Sequence, residues 1–428
     1  MLVKAGKGSW LTLREDSIEA KGKGALKTYW ITPPSASTAT SSSNGEAADV
    51  EMQLSSGSNR GITSSPGGTV KHRVKRRTKA SVPSDADAKV AHEQRLVDWA
   101  CDVLQKILIE VARERAASGN DQDPMNSMEL ERTIASKSTS KNPIFEVSGT
   151  ITMPVYDPTS TKRKMNNTNT EIELDPMILA QLRDYVATIA AMYNSNPFHN
   201  WDHAAHVMQS VSKLLNRIKT VDHLVDTNAE AAMEKQKNTK SNIEDMAGDI
   251  HAYTYGITSD PITQFAIVFS ALIHDVDHLG VSNGQLIKEN VPIASSYQNK
   301  SIAEQNSIDL AWELLMENRY KDLQRAIFSN TTEYERFRKL VVNSVIATDI
   351  FDKELKELRN YRWEKAFQNK KPKIQEVESA LTTVGSGDGQ YDLELRATIV
   401  LEHLIQASDV SHCMQHWKGT CSDMDPTL

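Results

Sequence analysis

Cysteine is nearly missing from this chain: Cys101, Cys413 and Cys421 are the only three in 428 residues. Scattered this widely, and with no CxxC pair, they exclude a disulfide framework and a cysteine-built zinc site, and they suit a reducing, cytoplasmic setting. Long apolar runs are missing too. The longest, Phe265 to Ile273, falls far short of the roughly 20 residues a membrane helix requires, and the N-terminus lacks a signal-peptide pattern. There is no excess of positive charge. The net charge of −7 gives no overall attraction to nucleic acid or anionic lipid, so such binding would have to be local. What is present is 39% hydrophobic and 25% charged residues, enough to bury a sizeable core in one large domain plus appendages.

The appendages come first. Residues 1–32 read as short strands, Trp10-Leu11-Thr12-Leu13 and Lys27-Thr28-Tyr29-Trp30-Ile31, around a turn at Lys21-Gly22-Lys23-Gly24. The stretch LREDSIEAKGKGALKTYW resembles the last strands of class III nucleotidyl cyclase domains. It implies a hairpin remnant of a cyclase fusion, with a fused cyclase domain in the parent protein, and it is compatible with this chain being the cytosolic part of a membrane-anchored parent. Residues 33–90 are rich in Ser, Thr, Gly and Ala and cannot bury enough surface to offset chain entropy, which predicts a disordered linker. Its basic cluster, Lys71 to Lys79, reads first as a solvated run.

From residue 91 helical periodicity dominates. Leu96, Trp99, Ala100, Val103, Leu104, Ile107 and Val111 form one apolar stripe, and further helices are expected at 178–192, 203–218, 261–277, 301–318, 333–351 and 391–409. A β-prone stretch, 145–155, interrupts them. No regular strand–helix alternation and no internal repeat is visible, so the fold class is all-α over 91–428.

Five of the twelve histidines fall in Phe198-His199-Asn200-Trp201-Asp202-His203-Ala204-Ala205-His206 and His274-Asp275-Val276-Asp277-His278. On a helix, residues i and i+4 share a face, so His199 with His203, and His274 with His278, would point into one cavity. An isolated HxxxH occurs by chance on surface helices. The second cluster, however, follows the apolar run Phe265–Ile273 directly, where unpaired charge is costly. Four ionisable residues in five positions, with no Lys or Arg among them, make a cation the economical partner.

These segments resemble the HNxxHAxDV and HDVDHxGxxN signatures of class I 3′,5′-cyclic-nucleotide phosphodiesterases. Downstream, Tyr297-Gln298-Asn299-Lys300-Ser301-Ile302-Ala303-Glu304, Ala347-Thr348-Asp349 and Ala407-Ser408-Asp409-Val410-Ser411 resemble the family's later motifs in the same order. The resemblance implies a compact helical domain of the HD superfamily that hydrolyses cAMP or cGMP to nucleoside 5′-monophosphates in second-messenger signalling. It implies that His203, His274, Asp275 and Asp409 hold zinc, that Asp275 bridges to magnesium or manganese, and that His278, Glu304 and Thr348 orient the waters of that second ion. His199 would be the catalytic acid, and Asp277 and Asp349 structural. No nucleic-acid partner is implied. Phe198, His206, Asn306 and Ser307 depart from the pattern, and His412 stands where the family has a base-contacting asparagine. The family domain continues for several helices past this last motif, so a C-terminally incomplete substrate pocket is expected. The competing readings are an inactive regulatory or scaffolding module and another HD-type metal phosphohydrolase.

Overall fold

In the computed structural model the described residues are 11–13, 18–20, 24–26, 29–31, 85–118, 129–134, 142–159, 172–219, 248, 250–367 and 387–411. The chain divides into two compact units, Met1–Lys79 and Ala80–Leu428. In the first, β1 (Leu11–Leu13) pairs antiparallel with β4 (Tyr29–Ile31), Leu11 opposite Ile31, and β2 (Ile18–Ala20) pairs with β3 (Gly24–Leu26), Ile18 opposite Leu26. Of the expected turn, only Gly24 is a described residue. The expected linker lies outside the described residues up to Ser84. Helix α1 then begins at Asp85, inside the last part of that segment.

The second unit contains no strand among its described residues. Its elements are α1 (Asp85–Ser118), α2 (Pro176–Ala191), α3 (Trp201–Lys219), α4 (Pro261–Ile273), α5 (Asn283–Lys288), α6 (Pro292–Ser296), α7 (Ile302–Leu315), α8 (Lys321–Ile327), α9 (Thr331–Ile346), α10 (Lys353–Phe367) and α11 (Gly387–Asp409). Helix α4 is the central post. Asp260 caps it by accepting from the Thr263 amide at 3.3 Å, and Pro261 opens it at a position where no amide is needed. Every residue from Thr263 to Ile273 is buried, as expected of a helix apolar on all sides. Helices α1, α3 and α9 pack around it, and α11 lies against α3, α9 and α10. Phe265, Phe269 and Phe337 meet at ring separations of 5.5–6.0 Å. Each contributes about 1.5–3 kcal/mol through burial.

Two arginines inside this core are paired with carboxylates. Arg362 on α10 meets Glu402 on α11 at 2.8 Å, both buried. Arg338 on α9 grips Glu146 with two hydrogen bonds of 2.9 Å. The β-prone stretch 145–155 forms no strand. It opens with a 3₁₀ turn, Pro143–Glu146, and the irregular backbone after it bonds to side chains rather than to a neighbouring strand. The Ile151 amide donates to Thr398 Oγ1 at 2.8 Å, the Met153 amide donates to Glu394 Oε1 at 3.3 Å, and the Thr152 carbonyl accepts from Arg336 Nε at 2.9 Å. Backbone groups need partners, but a helix's polar side chains satisfy them as well as a ladder does.

Candidate metal and catalytic site

The site lies where α3 begins, α4 ends and α11 ends. Asn200 caps α3: its Oδ1 accepts from the His203 amide at 3.0 Å, which places His203 in the first turn. His274 is the C-cap of α4. The Tyr193 hydroxyl donates to the Leu272 carbonyl at 2.7 Å, securing that helix end. Asp275 follows in the turn, and Asp409 is the last residue of α11.

Three distant parts of the chain thus bring their donors to one point. His203 Nε2 lies 3.1 Å from Asp409 Oδ1 and 3.5 Å from Asp275 Oδ2, and His274 Nε2 lies 3.3 Å from Asp275 Oδ2 and 3.6 Å from Asp409 Oδ1. One donor atom each from His203, His274 and Asp409 fall within 4.8 Å of one another. The tautomer of His274 follows from its surroundings. Nδ1 faces the Ala271 carbonyl at 3.0 Å and must donate to it, so the neutral ring presents the Nε2 lone pair to the carboxylates. That buried Nε2 makes no hydrogen bond. A lone pair turned toward carboxylates inside a core is an arrangement that a divalent cation resolves, and two imidazoles with two carboxylates are a donor set that zinc accepts.

Electrostatics agree in direction. Burial disfavours the His274 imidazolium, but Asp275 and Asp409 outweigh it and push its pKa well up. Burial would raise Asp275 and Asp409, yet the facing imidazoles overcome it; Asp275 falls to about 2 and Asp409 lies lower still. Without a metal, a proton on His274 fills the cationic role.

His199 and His278 are not where helical spacing put them. α3 starts only at Trp201, so His199 precedes the helix, and its ring centroid stands 6.1 Å from that of His203. α4 ends at Ile273, and Asp277 has φ +59°, so His278 leaves the helix altogether. His278 instead stacks on His199, centroids 3.8 Å apart. Burial pushes His199 down to about 4, with Asp275 opposing, and lowers His278 also.

Glu304, near the start of α7, accepts from Asn283 Nδ2 at 2.9 Å. Burial first, then the charge of Asp349, raise it to about 8. Asp349 accepts from Ser301 Oγ at 2.9 Å, from the amides of Phe351 and Asp352 at 3.1 Å each, and from Asn283 Nδ2 at 3.4 Å. The Thr348 hydroxyl donates to the Val345 carbonyl at 2.7 Å. Asn306 Nδ2 donates to Asp277 Oδ2 at 3.2 Å, and Ser307 Oγ lies 2.8 Å from the Val276 carbonyl, so these two departures from the motif support the turn that carries Asp275. Phe198 packs on His203 at 4.4 Å, whereas His206 is exposed. His412 lies outside the described residues. Sequence reasoning gives no role to Asn196, Asn283 or Tyr193. Their bonds depend on loops that meet only in the fold, although the asparagine-rich run Asn194-Ser195-Asn196 is a visible signal.

The fold and donor set define an all-helical domain with a His/Asp site of the kind that holds divalent ions. The chain belongs to the 3′5′-cyclic nucleotide phosphodiesterase family, whose model matches residues 198–423. It is 27% identical over 168 residues to the probable 3′,5′-cyclic-AMP phosphodiesterase pde-4 of Caenorhabditis elegans, 39% of this chain and 19% of that protein. It is 26% identical over 174 residues to the mouse dual specificity calcium/calmodulin-dependent 3′,5′-cyclic nucleotide phosphodiesterase 1C, 40% of this chain and 19% of the other. The chain thus spans about a fifth of the length of these curated relatives. The phosphodiesterase domain of the RhoPDE fusion protein from Salpingoeca rosetta aligns with a TM-score of 0.38 and 18% identity, covering 68% of this chain and 72% of that one. No helix among the described residues is long and apolar enough to cross a membrane.

Proposed function

We propose that this chain hydrolyses 3′,5′-cyclic nucleotides, cAMP or cGMP, to nucleoside 5′-monophosphates. The observation that carries the reading is the convergence of His203, His274, Asp275 and Asp409 from three helix ends, with the unbonded Nε2 of His274 aimed at the carboxylates. In this reading the four residues would hold a zinc-like ion, Asp275 would also serve a magnesium- or manganese-like ion, and His278, Glu304 and Thr348 would orient the waters of that second ion. Two such ions would lower the pKa of a water between them and neutralise phosphoryl oxygens.

The remaining work falls to the protein. A departing O3′ alkoxide is a poor leaving group, and His199 is the imidazole placed beside the donor set without belonging to it. Its depressed pKa means that it is neutral at pH 7 in the ligand-free chain. An anionic phosphodiester arriving beside it favours the imidazolium, the form that donates a proton. The Glu304 carboxyl, raised by burial and by Asp349, is poised to change charge with what binds near it. Residues 1–32 are proposed separately as the end of a cyclase domain, supported by the KGKG segment and the antiparallel pairing around it.

The test is release of phosphate from cAMP and cGMP after coupling to a 5′-nucleotidase, with and without chelator. Chelator-sensitive release on either nucleotide is expected. Release that chelator leaves unchanged, or none on either nucleotide with metal bound, contradicts the proposal.

A further inference from the structure

His199 precedes α3 and His278 follows α4, and no helix holds either ring. Yet the rings lie face to face, 3.8 Å between centroids and 22° between planes. Their backbones are joined by one side chain. Asn196 Nδ2 donates to the His199 carbonyl at 3.1 Å and to the His278 carbonyl at 2.6 Å. Carbonyls only accept, so the amide nitrogen must face them, and its two N–H groups are both used. The amide is a cross-brace between the two residues whose rings stack.

The surroundings hold the brace itself. Asn200 Nδ2 donates to the Asn196 carbonyl at 3.0 Å, and Asn194 Nδ2 donates to the His278 carbonyl at 3.1 Å. Past His278 the chain turns through Gly280 at φ +76°, where a Cβ would lie 2.9 Å from Asn196 Oδ1. Glycine is required there by both the backbone angle and the close approach. The Gly280 amide donates to His278 Nδ1 at 3.0 Å, which sets the rotation of that ring. The His199 ring is thus bounded by the face of His278 and, edge-on at 4.8 Å, by Phe198.

We propose that Asn196 is a positioning residue for His199: by bracing the carbonyls of His199 and His278 it maintains the stack that aims the His199 imidazole into the site. This rests on the reading of His199 as proton donor. A displacement of about 1 Å in such a group costs on the order of 100-fold in rate.

The test uses the full chain, labelled with ¹³C at histidine Cε1, as wild type, Asn196→Ala and Asn196→Asp. The Asp variant keeps the shape of the side chain but has no N–H to donate. Ring stacking shields the Cε1–H resonances of His199 and His278, assigned by their loss in single His→Gln variants. Both Asn196 variants should lose that shielding. Turnover of cyclic nucleotide should fall about 10- to 100-fold in both with unchanged bound metal, while a nitrophenyl phosphodiester, whose leaving group needs no proton, should change less than about 3-fold. Retained shielding in the Asp variant overturns the proposal, whatever the activity. Lost shielding with equal losses on both substrates, or with none, overturns the link to proton donation. If the wild type turns over neither cyclic nucleotide, the functional reading fails, and the resonances alone decide whether Asn196 holds the stack.

Discussion

Asp349 offers the most exacting test of how the site is supported, because its contacts can be weighed one by one. In Asp349→Ala the buried Ser301 hydroxyl loses its acceptor, and a stranded buried donor costs about 1–3 kcal/mol. The amides of Phe351 and Asp352 also lose theirs, but Phe351 is 88% exposed, so water replaces part of that loss at about 0.5–1 kcal/mol each. Glu304, raised to about 8 by burial and then by Asp349, is mostly protonated near pH 7, so losing the charge of Asp349 offsets little of this. The net expectation is about 2–4 kcal/mol of destabilisation, a fall in Tm on the order of 5–10 °C. Asp349→Asn keeps an oxygen for the two amides and lets the Ser301 hydroxyl turn to accept, so it should cost about 1 kcal/mol. Helical circular dichroism followed against urea measures both. If Asp349→Ala unfolds within about 0.5 kcal/mol of wild type, the carboxylate does not organise this loop and the reasoning fails.

Two further outcomes follow from the site and its neighbours. His199→Ala should lower turnover of cyclic nucleotide by roughly two to four orders of magnitude while bound metal is retained, and should lower turnover of a nitrophenyl diester far less; metal loss in this variant, checked by elemental analysis, would make His199 a ligand instead. Asp309, which accepts from the Tyr297 hydroxyl at 3.0 Å, is raised to about 6, first by burial and then by Glu313 and Glu146. A carboxyl raised in the folded state binds its proton more tightly there, so its contribution is full below its ordinary value near 4 and is lost as pH rises through about 6. The stability of wild type relative to Asp309→Asn should therefore fall between about pH 4 and 6; a difference that is flat or rises over that window would show the carboxyl is not raised.

The sequence displays the central helix and the four residues proposed as ligands because both leave strong local traces. An unbroken apolar run into His274-Asp275 has few explanations, and the ordered motifs around His203 and Asp409 have fewer. Helices α5, α6 and α8 are too short to show a period. α10, KELKELRNYRWEKAF, buries Leu355, Arg362 and Ala366 among many charges, so its inward face is an arginine rather than an apolar stripe. Helix ends are the weakest part of the sequence reading. Asp277 and Ser301 adopt positive φ without being glycine, held by tertiary contacts that local sequence does not display. That is why spacing alone puts His278 on a helix face, whereas the fold stacks it on His199. The Asn196 brace is invisible in the sequence for the same reason, since its two acceptors come from segments that meet only after folding.

Bound metal is the most direct test of the central claim. Elemental analysis of the purified full chain should find about one tightly held transition ion per molecule, and Asp275→Ala and Asp409→Ala should each lose it, because each removes a carboxylate that faces both His203 and His274. Full occupancy in both variants would contradict the assignment of the site.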